Sequence, residues 1–598
     1  MNNLFPLIPV KLLFIGLTIY IWKQLFQRGR ELNQPGISIY MLVFAVLSII
    51  LSVISMGKIY PYGALTDLLV FAVATTLVMA LPTRKLPARI LAAVLIAVPL
   101  SGPLIYLLHY QVVGGAMNKD SFIAVFQTTS AEAGEYLASF TSVISVIPLL
   151  LATVLVIWLV QKNANAERRT LPLKPALLLT TTAVIMLVIT PLERGLFTFP
   201  LDVYALYKGE LVKAQERRTL FSQRNTEEYQ ASKQERGEVY IVVVGESLNK
   251  HHMGIYGYDL DTTPNFSKLQ SEGNLFVALN SFSNYPGTMA ALSHALTAAN
   301  QKNNKAYTDS AGIVELLNEA GFVTHWIGNQ PLSNSYDMVL GLIAKEAQDV
   351  QLTFDIQFHS MSHKNHQPDG VLLPLVKDTL TKRDPEKNQV IFVHLMGNHT
   401  DYCERYPEEF NRYTVPALRT AWEYVFKGGL GHSRECYDNS VLYNDFVVTS
   451  MISELKNSLG ESGIGGLLYF SDHSDDIERG VGHSSANYSV DMVESPAVVW
   501  LSPAYQQHNP EKMRSLRQNI NQFYPNDFIF DTVIGMTGTR IEGPVYCAEC
   551  DLFNPDYRLP LSEARTVHGK LAYQPLKNYQ GQTKLAAAGE EEDNTIVQ

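Results

Sequence analysis

Six apolar runs, each close to the length that a bilayer-spanning helix needs, dominate the first 200 residues. The runs are Phe5–Phe26, Ser38–Ser55, Ala64–Leu81, Ile90–Leu108, Phe140–Leu159 and Ala176–Leu192. A helix crosses the hydrocarbon core with ~20 mostly apolar residues, so residues 1–200 are predicted to form a transmembrane domain of about six helices. The third run is the weakest candidate because it contains Asp67.

Basic residues between the runs predict the orientation of this domain. The first run has Lys23 near its end and is followed by Arg28 and Arg30. The stretches after the third and fifth runs carry three and four Lys or Arg residues, whereas those after the second and fourth carry only Lys58 and Lys119. Basic loops remain in the cytoplasm. We therefore expect the N-terminus, a loop at residues 110–139 and everything after residue 200 to lie outside the cytoplasm.

Strand and helix patterns alternate from Glu238 onward. The strand candidates are Tyr240–Val244, Val323–Ile327, Val390–Leu395, Gly466–Phe470 and Ala497–Leu501, and the helix candidates are Met289–Ala299, Gly312–Ala320, Asn439–Leu459 and Glu511–Tyr524. This alternation predicts an α/β domain with a central, mainly parallel sheet over residues 238–565. Residues 201–237 are predicted to be a linker helix, with a helix lying on the lipid headgroups as the alternative. Residues 566–598 lose periodicity and are predicted to be disordered.

Two apolar runs of the second domain stop abruptly at groups that bind metals. Ile241–Val244 leads into Glu246, and Leu468–Phe470 leads into Asp472 and His473. Parallel strands place such ends at one edge of a sheet. Carboxylate and imidazole groups suit Zn²⁺ or Mn²⁺, so we expect a metal site there.

Three further residues are candidates for chemistry near that edge. Thr288 follows a Pro–Gly turn at the start of a predicted helix, where backbone N–H groups favour an anion. It is interpreted either as a helix N-cap or, beside a metal, as an activated nucleophile. His399 and His483 each follow a strand, and either catalysis with phosphate contact or a structural role fits them.

Composition limits the partners and the redox chemistry. The formal charge is −10 and no basic stripe is present, so a nucleic-acid partner is not expected. Four cysteines, Cys403, Cys436, Cys547 and Cys550, all follow residue 400 and fit two disulfides or free thiols. For Cys547 and Cys550 a local structural disulfide is favoured over a redox pair, because no thioredoxin-like unit surrounds them.

An ordered set of motifs resembles the phosphoethanolamine transferases of Gram-negative envelopes, within the alkaline phosphatase/sulfatase superfamily. The matching motifs are Gly245–Ser247, His252–Tyr258, Thr262–Asn265, Thr288, Gly397–His399, Arg405–Pro407, Tyr437–Ser440 and Ser471–His473. In the first domain, Val125–Thr128 with Glu132 resembles the family's periplasmic loop that holds the lipid donor. The resemblance implies an alkaline phosphatase-like α/β fold in the periplasm, anchored in the inner membrane by several spans.

The resemblance also implies a mechanism. Glu246, Thr288, Asp472 and His473 would bind Zn²⁺, and His399 and His483 would contact the phosphate or the leaving group. Thr288 would take phosphoethanolamine from phosphatidylethanolamine, release diacylglycerol, and pass the group to an envelope saccharide. The resemblance further suggests a Cys403–Cys436 disulfide.

Departures from the family pattern point to one branch. Ala124 stands where lipid A-modifying members have Asn, no cysteine flanks Thr288, and Pro331–Ser335 replaces a lysine expected after Asn329. The chain therefore looks closer to the branch that modifies lipopolysaccharide core sugars or periplasmic glucans. A phosphoglycerol transferase using phosphatidylglycerol and Mn²⁺, a lipid A transferase and a non-catalytic scaffold are the alternatives. A sulfatase is disfavoured because the formylglycine signature is missing at Thr288.

Overall fold

The computed structural model describes residues 7–32, 35–56, 61–81, 85–113, 170–189, 230–330, 338–353, 367–414, 433–480, 482–483, 488–566 and 571–576, with a few isolated residues between 150 and 223 and residue 416. These residues divide into two compact units, one built from N-terminal helices and one that contains every described strand.

Five helices with defined bounds form the first unit. They are α1 (Leu7–Glu31), α2 (Pro35–Met56), α3 (Pro61–Ala80), α4 (Leu86–Val113) and α5 (Leu173–Ile189). Each contains much of one predicted apolar run, while the fifth run, Phe140–Leu159, lies partly outside the described residues. Among the described parts of the chain, none of the helices meets the length and hydropathy expected of a membrane span.

Small and polar groups fix the contacts between these helices. The Ser38 hydroxyl donates to the Leu25 carbonyl at 3.0 Å, and the Trp22 indole donates to the Leu68 carbonyl at 3.3 Å. Leu25 and Phe71 are fully buried in the same apolar cluster. Polar bonds that bridge packed helices in this way hold one helix against the next in a fixed register.

A seven-stranded sheet is the centre of the second unit. In spatial order its strands are β3 (Leu275–Val277), β9 (Ala497–Leu501), β8 (Gly465–Ser471), β2 (Val239–Gly245), β7 (Gln389–His394), β5 (Val323–Gly328) and β6 (Asp349–Leu352). Only β9 runs against its neighbours, so the predicted mainly parallel sheet is confirmed as a mixed sheet with one antiparallel strand. Short two-stranded pairs join β1 (Ala231–Ser232) to β11 (Arg540–Ile541), β4 (Ser281–Phe282) to β10 (Tyr524–Pro525), and β12 (Arg565–Thr566) to β13 (Leu571–Ala572).

Helices cover both faces of this sheet, as continuous apolar strands require. They are α6 (Pro264–Ser271), α7 (Thr288–Ala295), α8 (Ile313–Glu319), α9 (Met338–Lys345), α10 (Leu373–Thr381), α11 (Arg434–Leu459), α12 (Pro503–His508), α13 (Pro510–Asn519) and α14 (Ile529–Thr537). Alternate residues of β2 enter opposite cores: Val242 and Val244 pack in one cluster, and Ile241 and Val243 in the other. Every residue of β2 is buried.

Three predicted helix bounds are wrong for identifiable reasons. Helix α11 begins five residues before the predicted Asn439, because Ser433 caps it by accepting the Cys436 backbone N–H. Helix α7 ends at Ala295, since Thr297 leaves the helix to form a β-bridge with Gly312. Helix α13 ends at Asn519, because Tyr524, its predicted last residue, lies in β10.

A buried ion pair joins the loop after β2 to the segment before β9. The Lys250 ammonium lies 2.9 Å from the Glu494 carboxylate, and these side chains are 1% and 0% exposed. His251 contacts the same carboxylate at 2.9 Å. Burial alone would raise the pKa of Glu494, but Lys250 and His251 lower it to about 2. This depressed pKa stabilises the fold above the ordinary glutamate pKa, and the contribution is lost as pH falls toward 2.

Lys250→Met is expected to lower the free energy of unfolding by about 3–5 kcal/mol, because it leaves Glu494 buried without its cation. The control is Lys377→Met, which breaks an ion pair with Glu454 in which the lysine side chain is 64% exposed; we expect a cost below about 1 kcal/mol. Thermal unfolding at neutral pH measures both. Equal losses in the two variants would mean that leaving Glu494 buried without its cation has no special cost.

Candidate metal centre and active site

The sheet register brings two predicted ligand pairs together. Gly245 at the end of β2 lies opposite Ser471 at the end of β8, so Glu246 and Asp472 leave adjacent strands side by side. The Ser247 backbone N–H donates to Asp472 Oδ1 at 3.1 Å, and the His473 N–H donates to the same oxygen at 2.7 Å. The bond from Ser247 to Asp472 therefore joins residues 225 positions apart.

Glu246, Asp472 and His473 form the tightest buried group. His473 Nε2 lies 3.2 Å from Glu246 Oε1 and 3.3 Å from Asp472 Oδ2. One ligand atom from each residue lies within 4.8 Å of the others, and none of the three side chains is more than 1% exposed. The predicted ligands Glu246, Asp472 and His473 are thus brought together.

Charge repulsion and burial shift the pKa of each member. Burial raises the pKa of Asp472 and the charge of Glu246 raises it further, to about 8. Burial alone would lower the pKa of His473, but Asp472 and Glu246 raise it to about 10. Burial alone would also raise the pKa of Glu246, but the positive charge of His473, with smaller effects of His399 and His483, lowers it well below the ordinary value. Without a metal, protons on His473 and Asp472 offset the buried negative charge.

The group suits a divalent cation. Asp472 Oδ2 is buried and accepts no hydrogen bond from the residues that the structure describes, although it lies 3.3 Å from the His473 ring nitrogen. An unpaired buried carboxylate oxygen is costly unless a cation compensates it. Two carboxylates and one imidazole form a donor set typical of zinc in proteins. These residues therefore fit the predicted metal site.

The Thr288 hydroxyl lies directly over this group. Its Oγ1 is 3.3 Å and 3.4 Å from the two Glu246 carboxylate oxygens and 3.2 Å from His473 Nε2. Helix α7 begins at Thr288, and the N-cap is Gly287, in extended conformation and with no side-chain bond. The interpretation of Thr288 as a helix N-cap is therefore wrong. The hydroxyl is available as a metal ligand or as a nucleophile.

His483 lies beside the same group. Its ring centroid is 4.2 Å from that of His473, and its Nδ1 is 2.8 Å from Asp475 Oδ1. The other oxygen of Asp475 accepts the Tyr402 hydroxyl at 2.6 Å. Burial alone would raise the pKa of Asp475, but His483 lowers it. The Asp475 carboxylate holds the His483 ring by Nδ1 and leaves Nε2 as the nitrogen for other contacts.

His399 stands at the end of a loop fitted closely against Glu246. The Asn398 N–H donates to the Glu246 carbonyl at 2.9 Å, and Gly397 has a φ of +53°. A Cβ at Gly397 would lie 2.8 Å from both the N and the O of Glu246. The buried Arg405 guanidinium donates to the carbonyls of His399 and Thr400 at 3.1 Å and 2.7 Å.

Supporting residues that the sequence did not reveal complete the site. The Asn526 amide donates to the backbone carbonyls of Ser471 and Asp472, both at 2.8 Å, and the Ser283 hydroxyl donates to the Asp472 carbonyl at 2.6 Å. Asp369 accepts the N–H groups of Met396 and Gly397 at 2.9 Å and 2.8 Å. None lies in a motif, and only the fold places them beside the site.

The remaining predicted residues lie outside the described part of the chain or form disulfides. Thr128 and Glu132, the predicted donor-lipid contacts, lie outside the described residues, as do most of residues 201–237 and residues 577–598 of the predicted tail. The structure contains a Cys403–Cys436 disulfide and a Cys547–Cys550 disulfide.

Zinc binding at pH 7 is expected to release protons, because His473 and Asp472 hold protons in the metal-free site and ligands must bind deprotonated. Affinity should fall as pH decreases through the pKa of Asp472, about 8. Calorimetric titrations in two buffers of different ionisation enthalpy measure the release. Asp472→Asn should weaken zinc binding by more than about 100-fold, since loss of an outer hydrogen-bond partner alone costs about 10- to 100-fold. Glu238→Gln, at a buried carboxylate before β2, is the control. Identical heats in both buffers would contradict the assignment.

Gly397→Ala is expected to destabilise the protein by about 3 kcal/mol or more and to weaken zinc binding, because the new methyl group meets the Glu246 backbone. Gly273→Ala is a matched control: its φ is +76°, but nothing lies within 4 Å of the added Cβ. It should cost about 1–2 kcal/mol from backbone strain alone and leave zinc binding unchanged. Thermal unfolding and zinc titration compare the two. Equal behaviour would mean that the close approach to Glu246 is unimportant.

Comparison with known proteins agrees with this architecture. Residues 238–539 match the family described as Sulfatase. The phosphoethanolamine transferase EptC of Escherichia coli K12 is 29% identical over 329 residues, 53% of each chain, so the chain spans about half the length of that relative. CptA of Salmonella typhimurium, also described as a phosphoethanolamine transferase, is 25% identical over 507 residues, 79% of this chain and 83% of CptA. The integral membrane phosphoethanolamine transferase EptA of Neisseria meningitidis shares the fold, with a TM-score of 0.56 and 18% identity over 86% of this chain and 98% of EptA.

Proposed function

This chain belongs to the Sulfatase family, and we propose that it is a phosphoethanolamine transferase that acts through a covalent intermediate on Thr288. The observation that carries the proposal is the position of the Thr288 hydroxyl, 3.2–3.4 Å from His473 and from both oxygens of Glu246. The residue at this position is threonine, not the cysteine or serine from which sulfatases form formylglycine. The relatives described as phosphoethanolamine transferases support transfer of that group.

In the first step Thr288 Oγ1 attacks the phosphorus of phosphatidylethanolamine. A bond forms between Thr288 Oγ1 and phosphorus, and the bond from phosphorus to the diacylglycerol oxygen breaks. The hydroxyl proton leaves toward the Glu246 carboxylate, to which the hydroxyl donates in this structure. In the second step an acceptor oxygen attacks the same phosphorus and frees Thr288. Double displacement of this kind predicts ping-pong kinetics.

His483 and His399 would manage the protons of the donor and the acceptor. Asp475 fixes the His483 ring through Nδ1, and Arg405 fixes the His399 backbone. We propose that one imidazole protonates the departing diacylglycerol oxygen and that one takes the proton of the incoming acceptor. The positive end of α7 faces the phosphoryl oxygens and favours their negative charge.

Glu246, Asp472, His473 and Thr288 would hold the metal, with zinc as the expected ion. A bound zinc ion would lower the pKa of the Thr288 hydroxyl and offset charge on the phosphoryl oxygens. The donor set of the described residues, two carboxylates with a shared imidazole and a hydroxyl, supports this assignment.

The acceptor and the cellular location are part of the same proposal. We propose an envelope saccharide, lipopolysaccharide core or periplasmic glucan, as acceptor, because Ala124 and Pro331–Ser335 depart from the lipid A-modifying pattern. The first 200 residues would anchor the protein in the bacterial inner membrane, with residues 238–565 in the periplasm. Thr128 and Glu132 in the loop of residues 110–139 would contact the donor lipid.

Mass analysis of the Thr288 peptide tests the donor and the nucleophile together. Full-length protein in detergent is incubated with phosphatidylethanolamine vesicles without acceptor, quenched in acid and digested. A phosphoethanolamine adduct on Thr288 is expected. Thr288→Ala should form no adduct and lose transfer by at least about 10³-fold, because no nucleophile remains.

Two comparisons make this test decisive. Ser293→Ala, at a buried position of α7, should retain the adduct and show that the helix is intact. A phosphoglycerol adduct formed from phosphatidylglycerol vesicles would move the assignment to a phosphoglycerol transferase. Transfer retained by Thr288→Ala would overturn the covalent mechanism.

A further inference from the structure

The Cys547–Cys550 disulfide lies in a surface turn but beside a buried carboxyl group. Residues 541–549 are all at least partly exposed, whereas Cys550 is fully buried. Cys547 is thus partly accessible to solvent, whereas Cys550 packs in the apolar core that includes residues of α14. When one cysteine of a short disulfide ring is more accessible than the other, it offers the point of attack in thiol–disulfide exchange, and the buried cysteine is the leaving group.

Asp531 on α14 is the carboxyl group in question. It is 0% exposed, and one of its oxygens accepts the Cys547 backbone N–H at 2.8 Å. A carboxylate oxygen of Asp531 and the sulfurs of Cys547 and Cys550 all lie within 4.8 Å of one another. A buried acid at this distance from both sulfurs can exchange a proton with either thiol after a small movement.

The surroundings of Asp531 favour its protonated form. Burial raises its pKa well above the ordinary value, the Cys547 N–H lowers it in part, and the charges of Asp551 and Asp527 raise it again. The Asn300 amide is 3.5 Å from the carboxyl group. The nearest loop charges, Glu549 and Lys302, pair with each other at the surface.

We propose that Cys547–Cys550 is a thiol–disulfide exchange site with Asp531 as its proton donor, and that its partner is a dithiol. A partner thiolate attacks Cys547 Sγ, the Cys547–Cys550 bond breaks, and the Cys550 thiolate takes the proton of Asp531. The second partner thiolate then attacks the partner sulfur of the mixed disulfide and releases Cys547 as thiolate, which takes a proton from water. The partner dithiol is oxidised to a disulfide, and Cys547 and Cys550 are reduced to thiols.

The second disulfide of the chain has a different environment. Cys403–Cys436 closes a ring of 33 residues and ties the loop after His399 to the first turn of α11. The Tyr406 hydroxyl contacts Cys436 Sγ at 3.4 Å. Among the described residues, neither cysteine belongs to a close group of His, Cys, Asp and Glu side chains. This pair is the internal reference within the same domain.

Reduction of folded, full-length protein by dithiothreitol separates the two disulfides. Samples are alkylated at intervals with an isotope-coded reagent, and the peptides of both pairs are quantified by mass spectrometry. We expect Cys547–Cys550 to open at least about ten-fold faster than Cys403–Cys436, because it is accessible and has a proton donor. Equal rates, or faster opening of Cys403–Cys436, would overturn the proposal without any variant.

Asp531→Asn tests the role of the acid. The rate at which Cys547–Cys550 opens, divided by the concentration of dithiothreitol thiolate, should fall in the wild type as pH rises and Asp531 loses its proton. In Asp531→Asn it should be about ten-fold lower at neutral pH and independent of pH. Asp527→Asn is the matched control, a neighbouring buried aspartate that accepts the Gln301 backbone N–H. It should keep the fall in rate with pH, moved to lower pH because its charge no longer raises the pKa of Asp531. If Cys403–Cys436 opens faster in a variant than in the wild type, that variant is partly unfolded. An unchanged profile in Asp531→Asn would overturn the proton-donor role.

Discussion

The balance of buried charge among Glu246, Asp472 and His473 is the constraint on which the site depends. Two carboxylates at adjacent strand ends repel each other in a solvent-free environment, and the shared imidazole offsets only part of that charge. A divalent cation at this edge of the sheet would offset the remaining charge. The pKa values of the group follow from one arrangement of side chains, and the Thr288 hydroxyl lies against it.

The surrounding structure keeps these groups at close range. The amide of Asn526 and the hydroxyl of Ser283 bind the carbonyls beside Asp472, while the Gly397 loop is fitted against the Glu246 backbone. Rigid support of this kind matters because a ligand displaced by about 1 Å can cost about 10²-fold in rate. The seven-stranded sheet provides that support, and the loops at its edge supply the chemistry.

Two disulfides of the same domain differ in what lies next to them. Cys403–Cys436 anchors the loop that follows His399 to the start of α11, whereas Cys547–Cys550 lies at the surface above the buried Asp531. Asn526, three residues before α14, donates to the Asp472 carbonyl, so Asp531 and the candidate site share one structural segment.

The sequence by itself determined the sheet strands and the metal-binding residue types. Continuous apolar runs that end at Glu246 and at Asp472–His473 require buried parallel strands, and parallel strands share an edge. The start of α11 at Arg434 depended on the Ser433 cap, which the apolar pattern does not encode. Only the tertiary structure decided that Thr288 lies over Glu246, that Asn526 and Asp369 support the site, and that Asp531 lies beside Cys547. Those contacts join residues far apart in the chain, and strand register and loop packing bring them together.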